Sequence, residues 1–331
     1  MKRLVIVILA AAALWSGYWF IAAHTEKRAL TQWFAARRAE GWQADYAGFT
    51  VQGYPNRLDA IWTDMALADP ATGVALDLPK FALMALSYQP NHVIAVAPKT
   101  MLLRTPQDNY PISNDDLRAS LRLHAGPSLQ LDRAQLSADK LVLAGPQPAS
   151  LDHLSLAVSQ HEDDERTYRL GLLASGLTPP EVLRNRVTSG MALPDQMQEA
   201  RLDATVTFDK PWDISAINRA RPQPRHITVA LARAEWGALA LQIAADLAVD
   251  EAGQATGDVS LQARNWRQMV QAAVAAGALD ASVASIAETT LGLMARMGGN
   301  SETLDVTLSL RDGRVYLGPI SLGPAPVFRL R

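Results

Sequence analysis

From residue 45 onward the chain alternates apolar and polar side chains with a period of two, the pattern of half-buried β-strands. It is clearest in GALALQIAADLAVDEAGQATGDVSLQAR, residues 237–264. Leu239, Leu241, Ile243, Ala245, Leu247 and Val249 take the odd positions, and DEAG reads as a turn. Ala255, Gly257, Val259, Leu261 and Ala263 then take one face, with Thr256, Asp258, Ser260, Gln262 and Arg264 on the other. The stretch predicts a long hairpin with one apolar face. In TLDVTLSLRDGRVYLG, Leu304, Val306, Leu308 and Leu310 alternate with Asp305, Thr307 and Ser309. Asp312-Gly313 is a two-residue hairpin turn that sets Leu310 opposite Val315 and Leu308 opposite Leu317, so turn and pattern give one register. Comparable strands are predicted at residues 74–78, 121–123, 129–131, 136–143, 154–158, 168–172 and 202–208, with no βαβ rhythm.

Helices are few. TPPEVLRNRV offers Thr178 as a cap, Pro179 at the first helical position and Glu181 three residues after the threonine, a capping box. NWRQMVQAAVAAG runs from Asn265 to Gly277 with a cap at each end, and a second helix is predicted from Asp280, the pair covering one end or face of the sheet. At the N-terminus, residues 4–23 carry no charge. Twenty helical residues span about 30 Å, the thickness of a bilayer core. Trp15, Tyr18, Trp19 and Phe20 cluster toward the far end, where aromatic rings favour the interface. Residues 25–44 read as a helix continuing past that run, with Leu30, Trp33 and Phe34 on one side. It is a stalk or a helix lying on the sheet, or alternatively one resting on the bilayer surface.

Lys2 and Arg3 before an apolar run also suit a cleaved signal peptide. The run is longer than an ordinary signal core, and bulky aromatics stand where small residues should flank a cut, so residues 1–24 read as an uncleaved anchor. Lys2 and Arg3 argue for a cytoplasmic N-terminus; Lys27, Arg28, Arg37 and Arg38 argue the reverse. A long domain translocates largely regardless of its charge. The expected placement is therefore a single-pass inner-membrane protein with residues 45–331 periplasmic, in one β-rich domain or in two lobes, 45–175 and 200–331. The expected class is mainly β with a few helices, built of long antiparallel curved sheets. A net charge of -2 gives no electrostatic reason to expect nucleic acid. The absence of cysteine excludes disulfides, thiolate metal sites and cysteine nucleophiles.

FTVQGYPNRLDAIW, residues 49–62, raises a conflict, because proline is confined to strand edges, starts and bulges. The stretch is read as an edge strand broken at Gly53 and Pro55 that resumes with Leu58, Ala60 and Trp62 on one face. Tyr54 is packed beside the kink or, alternatively, lies at the mouth of a cavity. The N-terminal span, the short helix, GYPNRLDAIW and the terminal LRDGRVYLGPISLGP together resemble the bacterial envelope family called domain of unknown function 2125. That resemblance makes Gly53, Tyr54, Pro55 and Arg57 the family motif. It departs at Asn56, where many members carry an aromatic residue. The late segment with EWG, DEAG and ARNW also looks like AsmA-like proteins, which implies elongated sheets with apolar grooves. The family resemblance carries no catalytic residue.

Candidate chemistry is thin. Ser137 and Lys140 match a Ser-x-x-Lys pattern, but they fall between predicted strands rather than at a helix start, and the partner motifs are missing. The six histidines have no zinc-binding helical spacing, and the acidic run after His161 reads as a solvated loop. No enzyme activity, metal or cofactor is expected. What remains is the amount of apolar strand surface. It is either a closed core or a groove partly open to acyl chains, with Leu239, Leu241, Ile243, Leu247, Val259 and Leu261 as candidate lining. Small residues (Ala240, Ala245, Ala255, Gly257, Ala263) would leave room there. The expected function is a non-enzymatic envelope module that binds or passes lipid, with the bilayer and an apolar ligand as partners. The alternative is a structural or interaction module with a closed core; an envelope hydrolase comes last.

Overall fold

The computed structural model describes residues 1–188, 193–218, 220–275, 277, 284–285, 288–289, 291–292 and 302–330. The chain is mainly β, in antiparallel ladders, with a long N-terminal helix and a few short ones. It divides into two compact units: residues 1–123 with 136–146, and residues 124–135 with 147–331.

The first unit opens with one uninterrupted helix, α1 (Lys2–Ala39). The segment expected to be helical to residue 44 stops at Ala39. Gln43 already starts β1 (Gln43–Asp45), which pairs with residues 66–68. The C-terminal half of α1 lies on the sheet. Phe34 is buried with Ala44, Ala60, Trp62, Met65 and Leu78, and Leu30 packs against the same cluster. Trp33 points outward and carries the Arg37 guanidinium over its ring. The helix thus covers the sheet with the face that holds Leu30 and Phe34.

β2 (Gly48–Gln52) and β3 (Arg57–Asp69) form a hairpin in which Gln52 faces Asp59 and Phe49 faces Trp62. This corrects the expectation of a broken edge strand. Gly53-Tyr54-Pro55-Asn56 is the loop of the hairpin, closed by Arg57 N–H donating to Gly53 O at 2.8 Å, with a cis Tyr54–Pro55 bond. A proline in a loop removes no ladder donor, so the conflict seen in the sequence disappears. Gly53 has φ +108, and a Cβ there would collide with Arg57.

β3 pairs along its length with β4 (Val74–Leu86). The other edge of β4 changes partner at Pro79. Residues 75–77 pair with β6 (Thr100–Arg104), and residues 82–86 pair with β5 (Gln89–Val96). Pro79 supplies no N–H, and the ladder parts there. β7 (Asn109–Ser113), β8 (Asp116–Leu123) and β9 (Leu131–Leu143) follow. β8 pairs with β5, and β7 pairs with both β6 and the end of β9.

The second unit is a meander: β10 (Ala149–Gln160), β11 (Thr167–Leu177), β12 (Met197–Phe208), β13 (Pro224–Trp236), β14 (Leu239–Val249), β15 (Ala255–Arg264), β16 (Thr303–Arg311), β17 (Arg314–Leu317) and β18 (Ile320–Pro324). Each pairs with the next. The 239–264 hairpin forms in the expected register, Leu241 opposite Ala263 and Ile243 opposite Leu261. Asp312-Gly313 sets Leu310 opposite Val315, again as the turn requires.

Two helical expectations change. α2 (Glu181–Thr188) starts two residues later than the capping box implied. Thr178 exchanges both backbone hydrogen bonds with Ser150 and so extends the ladder instead of capping the helix. α3 (Trp266–Ala275) forms as expected, but the helix read from Asp280 lies largely outside the described residues.

Candidate functional site

Two places draw the sequence-predicted residues together, one in each unit. In the first unit the family-motif loop rests on α1. Trp15, Tyr18 and Trp19 lie at i, i+3 and i+4, on one face of the helix. Trp15 Nε1 donates to Pro55 O at 3.1 Å and Trp19 Nε1 to Arg57 O at 2.7 Å. Tyr18 OH donates to Ser87 O at 2.7 Å, and Ser16 Oγ lies 2.7 Å from Tyr54 OH. Ser87, fully buried in the β4–β5 turn, sends its hydroxyl back to Pro55 O at 3.2 Å. The Tyr54 ring stacks on Phe20 and meets Trp19 edge-on. Tyr54 thus rests on Trp19 and Phe20 with one side of its ring and leaves the other side exposed. Trp19 and Ala23 are buried against Leu58.

Just beyond the apolar run, Glu26 faces the same hairpin. Burial pushes its carboxyl above the ordinary carboxylate range, and the charge of Asp59 adds to the effect. Its Oε2 is buried without a hydrogen-bond partner among the described residues. Asp59 is itself buried and held by Arg57, through Nε at 3.1 Å and Nη2 at 2.9 Å. Arg57 thus orients the loop through its carbonyl and compensates a buried carboxylate through its side chain. The sequence marked Tyr54 and Arg57 but not their partners. The i, i+3, i+4 spacing of Trp15, Tyr18 and Trp19 was the available signal.

In the second unit the paired registers run one apolar row across seven strands, β10 to β16: Leu156, Leu172, Leu202, Ala232, Ile243, Leu261 and Val306. A parallel row passes from Val158 through Leu170, Ala204, Val229, Ala245 and Val259 to Leu308. Most of these side chains are half-buried rather than sealed. The face is closed at two ends. Leu241 and Leu261 pack on a cluster of Ala263, Trp266, Leu304, Val306 and Leu317. Leu247 belongs to another with Val249, Ala255 and Leu310, against which Val259 and Phe328 pack. Of the six candidate lining residues, Leu239 and Leu247 are buried; Leu241, Ile243, Val259 and Leu261 are half-buried. The small residues do not all leave room. Ala255 and Ala263 are buried in the clusters, and Gly257 is small because a Cβ there would overlap the Asp246 carbonyl oxygen.

The reverse face of the same strands is polar. Arg169 grips Asp203 with two hydrogen bonds, at 3.0 and 2.7 Å, which holds that carboxyl below its ordinary range. Tyr168 is buried at one end of the unit. Its hydroxyl accepts from Trp212 N–H at 3.1 Å, and burial raises its pKa.

The Ser-x-x-Lys pair does not assemble. Both residues lie in β9, and the Lys140 ammonium is engaged by Asp115 at 3.1 Å. His92 pairs with Ser120, His124 with Gln160 and His226 with Asp246, each in a different place. Among the described residues no group of three or more His, Asp or Glu side chains converges as a metal site would require. A cleft of about 480 Å³ opens where β4 changes partner, lined by Met65, Leu78, Pro79 and Met101 with Asp64 and Asp77. The sequence hinted at it only through a proline inside a strand.

These features define a β-rich protein carried on one N-terminal helix long and apolar enough to cross a membrane. The chain belongs to the domain of unknown function 2125 family, described as an uncharacterized protein conserved in bacteria, whose model matches residues 19–326. No curated protein and no solved structure matches the chain.

Proposed function

We propose that this is a single-pass inner-membrane protein with its β body in the periplasm, and that it binds or passes lipid acyl chains along the apolar face of β10 to β16 without enzymatic chemistry. The observation that carries the reading is the half-buried row from Leu156 to Leu261. Six strands at about 4.8 Å spacing extend roughly 24 Å, longer than one leaflet's share of the hydrocarbon core and hence ample for one acyl chain. Contiguous apolar surface that a fold leaves open to solvent marks an interaction or ligand-binding site. Retention of the N-terminal helix is supported by its contacts. A signal sequence destined for removal has no reason to bury Trp19 or to cap the carbonyls of Pro55 and Arg57. The engagement of Lys140 by Asp115 favours the non-enzymatic reading.

A second reading, a tethered structural or interaction module with a closed core, is favoured by the burial of Leu239 and Leu247 and by the two clusters that cap the face. Photo-crosslinking separates them. The full chain, purified in detergent, is irradiated with a diazirine fatty acid, and adducts are mapped by mass spectrometry. Adducts on Leu156, Leu172, Ile243 or Leu261 are expected. Adducts confined to α1 leave the closed-core reading standing and remove the first.

A further inference from the structure

We propose that the tip of the first unit, made of the 53–56 loop and the turn at Ser87 and Tyr88, is a lipid-embedded surface sunk beside α1 into the leaflet through which the helix leaves the membrane. The inference rests on reading residues 4–23 as a retained span and adds a second, peripheral contact with the bilayer.

Depth is the first argument. The tip touches α1 at Trp15, Ser16, Tyr18 and Trp19, not beyond the apolar run. Those residues precede Ala23 by four to eight positions, so they lie about 6–12 Å inside the end of the run. A run of this length fills the hydrocarbon core. A loop hydrogen-bonded to those side chains shares their depth.

Backbone satisfaction is the second. In lipid no water is at hand to pair a loop carbonyl, and each orphan costs several kcal/mol. Here five carbonyls at the tip each have a donor within the protein. Gly53 O accepts from Arg57 N–H, and Asn56 O from Ser87 N–H. Pro55 O accepts from Trp15 and Ser87 Oγ, Arg57 O from Trp19, and Ser87 O from Tyr18. Pro55 has no N–H to satisfy. A water-facing loop needs no such provision, because solvent pairs its carbonyls.

The exposed side chains are the third. Tyr54 and Tyr88 stand 52% and 57% exposed at the tip, beside Phe20 at 61%. Tyrosine favours the depth between headgroup and acyl chain, with its ring in the apolar layer and its hydroxyl toward water. The charge at the tip, Arg57, is paired with Asp59 and has the long stem that lets a guanidinium reach headgroups from below. The occupant is therefore a lipid surface.

The chain has no cysteine, so single labels can be placed at will. Tyr88→Cys and Tyr54→Cys are each made in the full chain, with Gln107→Cys in the exposed β6–β7 turn as the aqueous reference. Each carries a nitroxide and is reconstituted into vesicles of phosphatidylethanolamine and phosphatidylglycerol. Collision with molecular oxygen is compared with collision with a water-soluble nickel complex. The oxygen-to-nickel ratio at position 88 is expected to exceed that at 107 several-fold, with position 54 alike. Tyr88 has an exposed side chain, so its variant carries the test if Tyr54→Cys perturbs the loop. Equal nickel access at 88 and 107, in chains that stay with the vesicles through alkaline wash and flotation, overturns the inference and leaves the span intact. Release of the chain by the wash overturns both.

Discussion

Glu26 is a carboxyl held against another carboxyl at the root of the hairpin. Its folded-state pKa is raised, so the folded chain prefers it protonated and folding takes up a proton. Stability is then greatest below the unperturbed glutamate value of about 4.3, and it falls as pH rises from there through the raised value. Glu26→Gln removes the penalty. The variant should melt higher than the parent at neutral pH and alongside it in acid, read by thermal unfolding of the full chain in detergent. A parent curve that is flat across that window, or an unchanged variant, contradicts the burial account. Gly257 makes the opposite point about smallness. Its φ of +145 and the nearness of the Asp246 carbonyl forbid a side chain. Gly257→Ala should cost about 2 kcal/mol through backbone strain and overlap, measured by denaturant unfolding. A neutral result means that β14 and β15 lie farther apart than described.

At the scale of elements, the joint between α1 and the β2–β3 hairpin is the feature on which the first unit depends. Trp19 contributes a buried ring and a hydrogen bond to Arg57 O. Trp19→Phe keeps most of the ring and removes the donor, leaving a buried carbonyl without its partner, at about 1–3 kcal/mol. Trp19→Ala also opens a cavity, at about 3–5 kcal/mol. Both should lower the thermal midpoint of the full chain in detergent, with alanine the more severe, and an unchanged midpoint in both would mean that the loop holds without the helix. The hairpins of the second unit were legible from sequence because each strand covers one face and the turn fixes the register, as Asp312-Gly313 does for Leu310 and Val315. The motif loop was not. A Gly-Tyr-Pro inside an alternating run reads equally as a kink or as a turn, and only the pairing of Gln52 with Asp59 decides.

At the scale of the whole molecule, the proposals reduce to where the body lies and what its apolar face meets. An alkaline phosphatase fusion after Arg331 should be active if the body is periplasmic, and an intact but inactive fusion reverses the orientation. Ile243→Asp places a charge in the middle of the half-buried row, away from the sealed clusters. It should abolish fatty-acid crosslinking while leaving the thermal transition within a few degrees. Loss of the fold itself would instead mark Ile243 as core. The face was half-legible beforehand. Alternation named Ile243, Val259 and Leu261, but it could not tell them from Leu239 and Leu247, because periodicity reports which side a residue takes and not what stands opposite.

The sequence by itself determined the apolar run, the antiparallel strands, the registers of the late hairpins and the family, since these depend on local period, turn chemistry and motif. Tertiary structure decided that Trp15, Tyr18 and Trp19 grip the motif loop, that Glu26 meets Asp59, that Thr178 pairs instead of capping, and that Gly257 is small for its neighbour's carbonyl. Each joins residues far apart along the chain. Burial and hydrogen bonding between such residues are set by how the elements pack, which no local pattern records.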